Sequence, residues 1–424
     1  MDRIRIYGSS PLNGSIDISG AKNAALPLMT AALLTDQPMT LRSVPDLRDV
    51  ASLQDLLEQM GVVAAYDAQA KILKLDAAKI TSHTAPYELV RKMRASILVL
   101  GPLVARHGEA KVSLPGGCAI GTRPVDLHIE GMKHLGAEIE LREGYIFAKA
   151  PKGLNGADIH FPKVSVGATE NLMMAATLAK GTTTLSNAAR EPEIVDLGHC
   201  LIKMGAEIEG LGTDRIVIHG KSHLHGAEHT VIGDRIEAGT FAVAAAMTGG
   251  KIMLKNMDIQ HIHYLLEPLH RAGVDISSDK DGITVQRVRN ALRGVDIMTE
   301  PYPGFPTDLQ AQMMTMLAVA EGAGMVTETI FENRFMHVPE LMRMGADITV
   351  HGASALVRGV KKLKGAEVMA TDLRASVSLI LAGLAAEGPT TVHRIYHLDR
   401  GYEDLVGKLS GVGAKLERLK EEAA

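Results

Sequence analysis

Leu201-Ile-Lys-Met-Gly205-Ala-Glu-Ile is the stretch of the chain that decides its fold, because the same pattern recurs along the whole sequence. The pattern predicts the end of an amphipathic helix, a left-handed glycine that ends it, and the start of an alternating strand. Five other copies centre on glycines that lie 68 to 75 residues apart, namely Gly61, Gly136, Gly273, Gly345 and Gly413. The chain is therefore predicted to contain six repeats of about 70 residues.

A second helix, rich in Ala, Leu and Met, is predicted once in each repeat. Segments such as 241–247 and 378–386 are apolar on almost every side, so they must be enclosed, whereas Pro192–Met204 is apolar along one stripe only. We therefore expect an α/β fold of βαβαββ repeats with helices inside and sheets outside, the reverse of a doubly wound fold. The predicted buried helices are Asn23–Leu34, Arg94–Ala105, Ala168–Ala179, Ala238–Met247, Asp308–Ala320 and Arg374–Ala386.

Length and composition narrow the class of protein. A chain of 424 residues suits two domains of about 200 residues, which gives three repeats per domain and a hinge near Lys22 and near Val231–Gly233. The net charge of −4 and the scattered Lys and Arg residues argue against nucleic acid as a partner. Met1–Gly8 lacks the apolar core of a signal peptide, and no apolar run is long enough for membrane insertion.

The two cysteines form neither a disulfide framework nor a metal-binding spacing, which favours the reducing cytoplasm. A Walker A motif and a Gly-x-Gly-x-x-Gly motif after a strand are both missing from the sequence, which disfavours an NTPase and a Rossmann dehydrogenase. We expect no metal and no cofactor. The sequence makes no prediction of an oligomeric state.

The segment Ser113–Asp126 carries the first candidate for chemistry. Its three glycines and two prolines predict a loop, and Arg123 follows Cys118 by five residues. A nearby cation or oriented backbone N–H groups lower the pKa of a thiol, so Cys118 is a candidate to transfer a proton or to attack a substrate. The alternative is a small residue that fills a gap in a tight turn.

Charged residues also stand at the starts of the predicted buried helices, where free N–H groups and the helix dipole favour anions. Lys22 is a candidate to bind a phosphate or carboxylate; the alternative is a solvated lysine with Ser19 and Asn23 as helix caps. Arg94 and Arg374 hold the same position in two repeats, which suggests a pair of guanidinium groups for one anion.

Asp308 starts a helix, so it is either a helix cap or a general base that accepts a hydroxyl proton. We expect His128 and His337 to be structural rather than proton carriers, and Cys200 to be a core residue. The remaining cations at such positions suggest a substrate with several negative charges; they are Arg123, Lys163, Arg334 and Arg400.

Segments throughout the chain resemble the UDP-N-acetylglucosamine 1-carboxyvinyltransferases, a family of enolpyruvyl transferases. The resemblance covers essentially the whole chain, and the cysteine loop distinguishes this family from the shikimate-pathway enolpyruvyl transferase, which is similar in architecture. The matching segments are 20–24, 93–96, 114–128, 163–168, 189–194, 234–240, 305–308, 331–337, 370–376 and 399–402.

The resemblance implies two inside-out, barrel-like α/β domains, one of residues 22–232 with the Cys118 loop and one of residues 1–21 plus 233–424. A double-crossover hinge would lie near residues 21–22 and 231–233. The implied reaction moves the enolpyruvyl group of phosphoenolpyruvate to the 3-hydroxyl of UDP-N-acetylglucosamine by addition and elimination, and releases phosphate. This reaction is the first committed step of peptidoglycan synthesis, and the family's cysteine is the target of an epoxide antibiotic.

The resemblance also implies roles for single residues. Cys118 would protonate the methylene carbon, Asp308 would take the hydroxyl proton, and Lys22, Arg123 and Arg400 would hold phosphoenolpyruvate. An inactive protein with the same repeats would have little reason to keep Cys118, Asp308, Lys22 and Arg400 together. The shikimate-pathway reaction stays open as the alternative. The residues expected to contact the UDP-sugar, or counted with the substrate-binding cations, are Asn23, Arg94, Arg123, Pro124, Val125, Asp126, Leu127, Lys163, Val164, Ser165, Val166, Asp308, Ile330, Arg334 and Arg374.

Overall fold

The computed structural model describes residues 2–8, 11–115 and 125–420 of the chain. These residues form two compact units, one of residues 20–115 and 125–232, the other of residues 2–8, 11–19 and 233–420. Each unit has its own apolar core, built from the buried faces of its own helices and strands. In the described part of the chain, no helix is long and apolar enough to cross a membrane.

The chain begins with two strands that belong to the second unit and continues with the three repeats of the first. The elements up to residue 230, labelled in chain order, are β1 (Arg3–Tyr7), β2 (Asn13–Asp17), α1 (Lys22–Ala31), β3 (Met39–Arg42), α2 (Arg48–Gln59), β4 (Val63–Asp67), β5 (Ile72–Asp76), β6 (Thr84–Ala85), α3 (Tyr87–Val90), α4 (Leu100–His107), β7 (Glu109–Ser113), α5 (Asp126–His134), β8 (Glu138–Arg142), β9 (Tyr145–Lys149), β10 (Asp158–His160), α6 (Val166–Ala176), β11 (Thr182–Ser186), α7 (Pro192–Lys203), β12 (Glu207–Glu209), β13 (Arg215–His219) and β14 (Glu228–Thr230).

With the addition of two short strands, Leu363–Lys364 and Ala386–Glu387, the second unit follows a similar order of elements. They are α8 (Arg235–Thr248), β15 (Lys251–Lys255), α9 (His263–Ala272), β16 (Val274–Asp279), β17 (Gly282–Arg287), β18 (Ile297–Met298), α10 (Gln310–Leu317), β19 (Ala323–Thr327), α11 (Val338–Arg343), β20 (Asp347–His351), β21 (Ser354–Arg358), β22 (Leu363–Lys364), β23 (Glu367–Met369), α12 (Leu373–Ala385), β24 (Ala386–Glu387), β25 (Thr390–His393), α13 (Leu405–Gly411) and β26 (Lys415–Leu419). Short 3₁₀ turns cover Ala32–Leu34, Arg94–Val99, Ile259–Ile262, Thr307–Leu309 and Ile395–Arg400.

Within the described residues, six four-stranded sheets share one strand order and one pattern of pairing. In the sheet β10-β11-β13-β12, the strand before the buried helix pairs in parallel with the strand after it, and the other two pairs are antiparallel. The sheets β6-β7-β9-β8 and β18-β19-β21-β20 repeat this order. The repeated signature in the sequence is therefore confirmed as a repeated supersecondary unit.

Three strands complete sheets that lie far from them in sequence. β2 precedes α1 but pairs in parallel with β15, and β14 precedes α8 but pairs in parallel with β3. β1 takes the third position in the sheet β23-β25-β1-β26. Each of these three strands therefore supplies the fourth strand of a sheet whose other three strands come from a distant part of the chain.

The helices α1, α4, α6, α8, α10 and α12 form the inside of their units. In α8 every residue from Arg235 to Met247 is buried, which confirms the enclosed helix predicted for Ala238–Met247 and extends the burial to three residues before it. In α7, by contrast, Ile194, Leu197 and Leu201 are buried while Lys203 is exposed. The expected arrangement of helices inside and sheets outside is confirmed, and the glycines of the six signatures all have positive φ, between 91° and 102°.

Two of the buried helices begin later than their apolar pattern suggested. Arg94–Val99 and Thr307–Leu309 are 3₁₀ turns, followed by α4 and α10. In the first case Pro102 has no N–H to donate to the preceding turn, so α-helical bonding starts around it rather than at Arg94. Both turns carry candidate site residues, and the tighter winding places them at the entrance of a buried helix.

Candidate active site

In the second unit, the candidate site is built around Asp308. Its carboxylate accepts hydrogen bonds on both oxygens, from Nη2 of Arg334 on Oδ1 and from Nη2 of Arg374 at 3.0 Å on Oδ2. The two guanidinium side chains are only 5% and 6% exposed, whereas the Asp308 side chain is 27% exposed. The structure therefore holds a partly exposed carboxylate in place with two buried cations.

The helix-cap interpretation of Asp308 is wrong. The residue at the cap position of the Thr307–Leu309 turn is Pro306, and no side chain caps this turn. Asp308 lies inside the turn, with its carboxylate turned to the two arginines. Asp372, by contrast, is a true cap, because its Oδ1 accepts from the backbone N–H groups of Arg374 and Ala375 and so fixes the first turn of α12.

Arg374 is held as a cation at this position. Burial lowers the pKa of its guanidinium, but the Asp308 carboxylate, Tyr402 and Asp234 together outweigh burial, and the net pKa is raised. Nη1 of Arg374 also lies 3.3 Å from the hydroxyl of Tyr402, whose ring it faces at 5.6 Å. Arg334 faces the ring of Phe331 at 5.6 Å. Both guanidinium groups are therefore ordered by more than their ion pair with Asp308.

Ile330 lies in a loop that Glu328 fixes to the turn of Asp308. Oε1 of Glu328 accepts from the backbone N–H of Ile330 at 2.8 Å and from the hydroxyl of Thr299 at 2.8 Å. Its Oε2 accepts from the hydroxyl of Thr307 at 2.8 Å. The buried Glu328 thus brings the Ile330 loop beside Asp308, so the structure places Asp308, Ile330, Arg334 and Arg374 together.

Arg400 ends the 3₁₀ turn Ile395–Arg400 and is half-buried. Burial, and then the positive charge of Arg400, lower the pKa of His397 in the same turn. Asp399 binds Nη1 and Nη2 of Arg418 at 2.8 and 2.9 Å, which ties the turn to β26. The Arg400 side chain is therefore carried on a turn that is anchored by its neighbour.

In the first unit, Lys22 is the first residue of α1. Its Nζ lies 3.2 Å from Oδ2 of Asp49, and the two side chains are only 12% and 6% exposed. The alternative that Ser19 caps this helix is wrong, because Ala21 is at the cap position and the hydroxyl of Ser19 donates to Glu403. Lys22 is thus a largely buried ammonium at a helix N-terminus, with Asn23 next to it.

Arg94, His128 and the start of α6 lie close together in the same unit. Nδ1 of His128 accepts from Nδ2 of Asn171 at 2.9 Å, which leaves the ring proton on Nε2. Burial, and then the positive charge of Arg94, lower the pKa of His128 to about 3. His128 is therefore neutral at neutral pH, which supports the structural interpretation over the proton carrier.

A Cβ at Gly167, the second residue of α6, would lie 3.4 Å from Cε1 and Nε2 of His128. Ser165 caps this helix, with its Oγ accepting from the N–H of Ala168 at 3.3 Å. Lys163 is exposed, and Val164, Ser165 and Val166 are half-buried. The segment 163–166 therefore leads into a helix whose first turn adjoins His128.

The structure describes some, but not all, of the remaining residues that the sequence singled out. Val125 is buried at the start of α5, Asp126 is exposed and Leu127 is half-buried, while Cys118, Arg123 and Pro124 lie outside the described residues. Cys200 is a core residue, as expected, and burial raises the pKa of its thiol to about 12. His337 is also buried, but its Nε2 has no hydrogen-bond partner in the described part of the chain.

Sequence reasoning missed Asp49, Glu328, Gln312 and the role of Tyr402. A signal for Gln312 was present, because a glutamine inside a helix that must be enclosed needs buried partners. Asp49 and Glu328 gave no such signal, since each becomes a partner of the site only through the fold. Among the described residues, no group of three or more His, Cys, Asp or Glu could hold a metal ion.

Residues 6–409 match the family model of EPSP synthase (3-phosphoshikimate 1-carboxyvinyltransferase). Proteins named UDP-N-acetylglucosamine 1-carboxyvinyltransferase from Rhodospirillum centenum and Granulibacter bethesdensis are each 63% identical to the chain, over 99% of its length and 100% of theirs. The homologue of the same name from Paramagnetospirillum magneticum is 58% identical over the full length of both chains.

Solved structures of enolpyruvyl transferases also share the fold of this chain. The enolpyruvyl transferase NikO from Streptomyces tendae superposes with a TM-score of 0.86 at 27% identity, covering 98% of both chains. The EPSP synthase from Acinetobacter baumannii superposes with a TM-score of 0.77 at 18% identity, covering 99% of this chain and all of the other, which shows a shared fold. The repeated architecture, the family match and the full-length identity together establish that the chain belongs to the EPSP synthase family of enolpyruvyl transferases, alongside the UDP-N-acetylglucosamine 1-carboxyvinyltransferases.

Proposed function

We propose that this enzyme transfers the enolpyruvyl group of phosphoenolpyruvate to the 3-hydroxyl of UDP-N-acetylglucosamine and releases phosphate. The observation that carries the proposal is the identity of 58% to 63%, over the full chain, to relatives that bear the name of this activity. The Asp308 carboxylate, fixed by Arg334 and Arg374 and still partly exposed, supports it as an acceptor for a hydroxyl proton.

The reaction divides into an addition and an elimination. In the addition, the sugar oxygen bonds to the central carbon of phosphoenolpyruvate, the hydroxyl proton leaves to a base, and an acid protonates the methylene carbon to give a methyl group. In the elimination, that methyl group returns a proton to the conjugate base of the acid, the double bond re-forms, and phosphate leaves with the proton that the base had taken. The atoms balance: the enolpyruvyl group moves from phosphate to the sugar oxygen, and the proton of the sugar hydroxyl ends on the released phosphate.

We assign the base to Asp308 and the acid to Cys118. A carboxylate that already binds two guanidinium groups is oriented before substrate arrives, so little reorganisation is needed when the hydroxyl binds. Cys118 lies outside the described residues, and its role rests on the resemblance of its loop and on the acid that the addition requires. Fixed cations are needed for the phosphate and carboxylate of phosphoenolpyruvate, and we assign Lys22, Arg123 and Arg400 to them.

We also assign residues to the UDP-sugar, following the family resemblance. Arg94, the segments 125–127 and 163–166, and Asn23 supply cations, backbone N–H groups and an amide; Asp308 and Ile330 adjoin each other through Glu328. The residues of the substrate site are then Lys22, Asn23, Arg94, Arg123, Pro124, Val125, Asp126, Leu127, Lys163, Val164, Ser165, Val166, Asp308, Ile330, Arg334, Arg374 and Arg400.

In the cell, we propose that the enzyme works in the cytoplasm and serves peptidoglycan synthesis, and so cell shape and division. Cys200, a buried thiol without a disulfide, suits a reducing compartment. The shikimate-pathway reaction is the second candidate because the family model carries that name.

One assay separates the two candidate reactions. Phosphate release from phosphoenolpyruvate is measured with either UDP-N-acetylglucosamine or shikimate 3-phosphate as the acceptor. We expect release with UDP-N-acetylglucosamine and none above background with shikimate 3-phosphate. Release with shikimate 3-phosphate alone would overturn the proposal.

A further inference from the structure

Next to Asp308, three polar side chains form a buried group that the proposed reaction does not use. Thr240 comes from α8, Gln312 from α10, and Tyr402 from the segment after the 3₁₀ turn that ends at Arg400; none is more than 4% exposed. We call Thr240, Gln312 and Tyr402 the hydroxyl–amide cluster. Buried polar groups are costly unless they are hydrogen-bonded, so such a cluster in an apolar helix core needs a reason.

The direction of each hydrogen bond in the cluster follows from its neighbours. The hydroxyl of Thr240 donates to the backbone oxygen of Ile236 at 2.8 Å, so its proton is already used. The contact of 2.9 Å between the Thr240 and Tyr402 hydroxyls must then be donated by Tyr402. The raised pKa of Tyr402, caused first by burial, keeps that phenol proton in place.

The phenol oxygen of Tyr402 is therefore left with two acceptor sites. One accepts from Nη1 of Arg374 at 3.3 Å, and the other lies 3.3 Å from Nε2 of Gln312, whose two N–H groups are shared with Thr240 and the backbone oxygen of Asp308. Arg374 can only donate hydrogen bonds, so the phenol oxygen of Tyr402 serves it as an acceptor. The phenol proton is not needed for this contact, because it is donated to Thr240.

Gln312 connects the same cluster to Asp308 by a second route. Its Nε2 lies 3.0 Å from the backbone oxygen of Asp308, and contact with a carbonyl fixes which end of the amide is nitrogen. The same nitrogen lies 3.1 Å from the hydroxyl of Thr240. The cluster thus holds the main chain of Asp308 through Gln312 and its carboxylate through Tyr402 and Arg374.

We propose that Tyr402 is a positioning residue of the enzyme, which sets the angle of Arg374 and through it the carboxylate of Asp308. The inference rests on the proposed function, in which Asp308 accepts the hydroxyl proton. A base must lie within hydrogen-bonding distance of the proton that it takes, and a misplacement of about 1 Å costs about 100-fold in rate. Tyr402 therefore acts mainly on turnover, because its hydroxyl sets the angle of Arg374 and Asp308 but its loss removes neither side chain from the site.

The test compares Tyr402→Phe with the parental enzyme in the phosphate-release assay. Phenylalanine keeps the ring over Arg374 and removes only the hydroxyl. We expect kcat to fall about 10- to 100-fold, with KM for phosphoenolpyruvate and for UDP-N-acetylglucosamine within about threefold of the parental values. Tyr66→Phe is the matched control: the Tyr66 hydroxyl, in the other unit, donates to the backbone oxygen of Val44 at 3.0 Å, and Tyr66 is not among the proposed site residues, so kcat should not change.

A pair of variants at Thr240 tests the same chain of contacts from its far end. Thr240→Val removes the acceptor of the phenol proton at nearly constant volume and should lower kcat in the same way. Thr240→Ser keeps the hydroxyl and should retain most of the parental kcat. This pair also decides the matter if thermal unfolding shows that Tyr402→Phe fails to fold.

Two results would overturn the inference. One is a Tyr402→Phe kcat within twofold of the parental value; the other is a raised KM at unchanged kcat, which would make Tyr402 a binding residue. A parental enzyme that releases no phosphate with UDP-N-acetylglucosamine would instead overturn the proposed function, and this inference with it. The parental measurement therefore separates the two failures.

Discussion

Oδ2 of Asp308 lies 3.0 Å from Nη2 of Arg374, while Oδ1 of the same carboxylate accepts from Arg334. A carboxylate held on both oxygens has little rotational freedom, and each bond is strengthened by the charge of its donor. The relationship explains how a side chain that is 27% exposed is nevertheless fixed. It also allows the effect of an Asp308 substitution on kcat to be predicted.

Asp308→Asn should lower kcat at least about 100-fold, because an amide cannot accept the hydroxyl proton and its NH₂ group would face a guanidinium group. The measurement is phosphate release at saturating substrates. Asp347→Asn is the control, since Asp347 forms an exposed ion pair with Arg358 and should have no effect on turnover. A kcat for Asp308→Asn within tenfold of the parental value would remove Asp308 from the role of base.

Asp49 should matter for phosphoenolpyruvate because it holds Lys22. Asp49→Asn replaces the carboxylate 3.2 Å from Nζ of Lys22 with a neutral amide, so the ammonium loses a charged partner that orients it. We expect KM for phosphoenolpyruvate to rise about five- to tenfold, while KM for UDP-N-acetylglucosamine stays within about twofold.

Asp55→Asn, on the exposed side of the same helix α2, is the control for Asp49. It should leave both KM values unchanged. Equal changes in the two KM values of Asp49→Asn would show that the pair supports the unit as a whole rather than the phosphoenolpyruvate site.

His128 should stay neutral throughout the assay range. Its pKa is about 3 in the folded chain, because burial and the charge of Arg94 disfavour the imidazolium, against an ordinary value of about 6.5 in the unfolded chain. Between these values only the unfolded chain binds the proton, so the stabilisation is complete above about pH 6.5 and is lost as the pH falls toward 3. At pH 5 the loss is about 2 kcal/mol.

The Cε1–H resonance of His128, followed by NMR from pH 5 to 8, should therefore show no titration in the folded protein. The same resonance in urea should titrate near the ordinary value and serves as the internal control. A titration midpoint above pH 5.5 in the folded protein would contradict the buried, neutral state and would reopen a role in proton transfer.

The sequence was sufficient to predict the repeats, but it was not sufficient to predict which residues pair with Asp308 and Lys22 in the candidate site. Gly205 and its five equivalents could be found because a helix that ends in a left-handed glycine repeats its local signature wherever it occurs. Enclosed helices such as α8 could be found because they lack a polar face. Both features depend on residues that are near one another in the chain.

The partners of Asp308 and Lys22 depend on contacts that the local sequence does not encode. Arg374 meets Asp308 across 66 positions, and Asp49 meets Lys22 across 27. The pairings of β2 with β15 and of β14 with β3 are likewise not encoded locally, because each strand is followed in the chain by a helix of the other unit; only the family resemblance implied a crossover there. The hinge and the roles assigned to single residues stay predictions.

Cys118→Ser should lower turnover by at least about 100-fold, because a hydroxyl is a far weaker acid than a thiol and the methylene carbon must still receive a proton. The chain supplies its own control, since it has only two cysteines. Cys200 is fully buried, and burial followed by the charge of Asp196 raises the pKa of its thiol to about 12. Cys200→Ala should therefore keep the parental kcat, and iodoacetamide at pH 8 should leave Cys200 unmodified until the protein is unfolded, as read by peptide mass spectrometry. A Cys118→Ser enzyme with near-parental kcat would require another acid for the addition step.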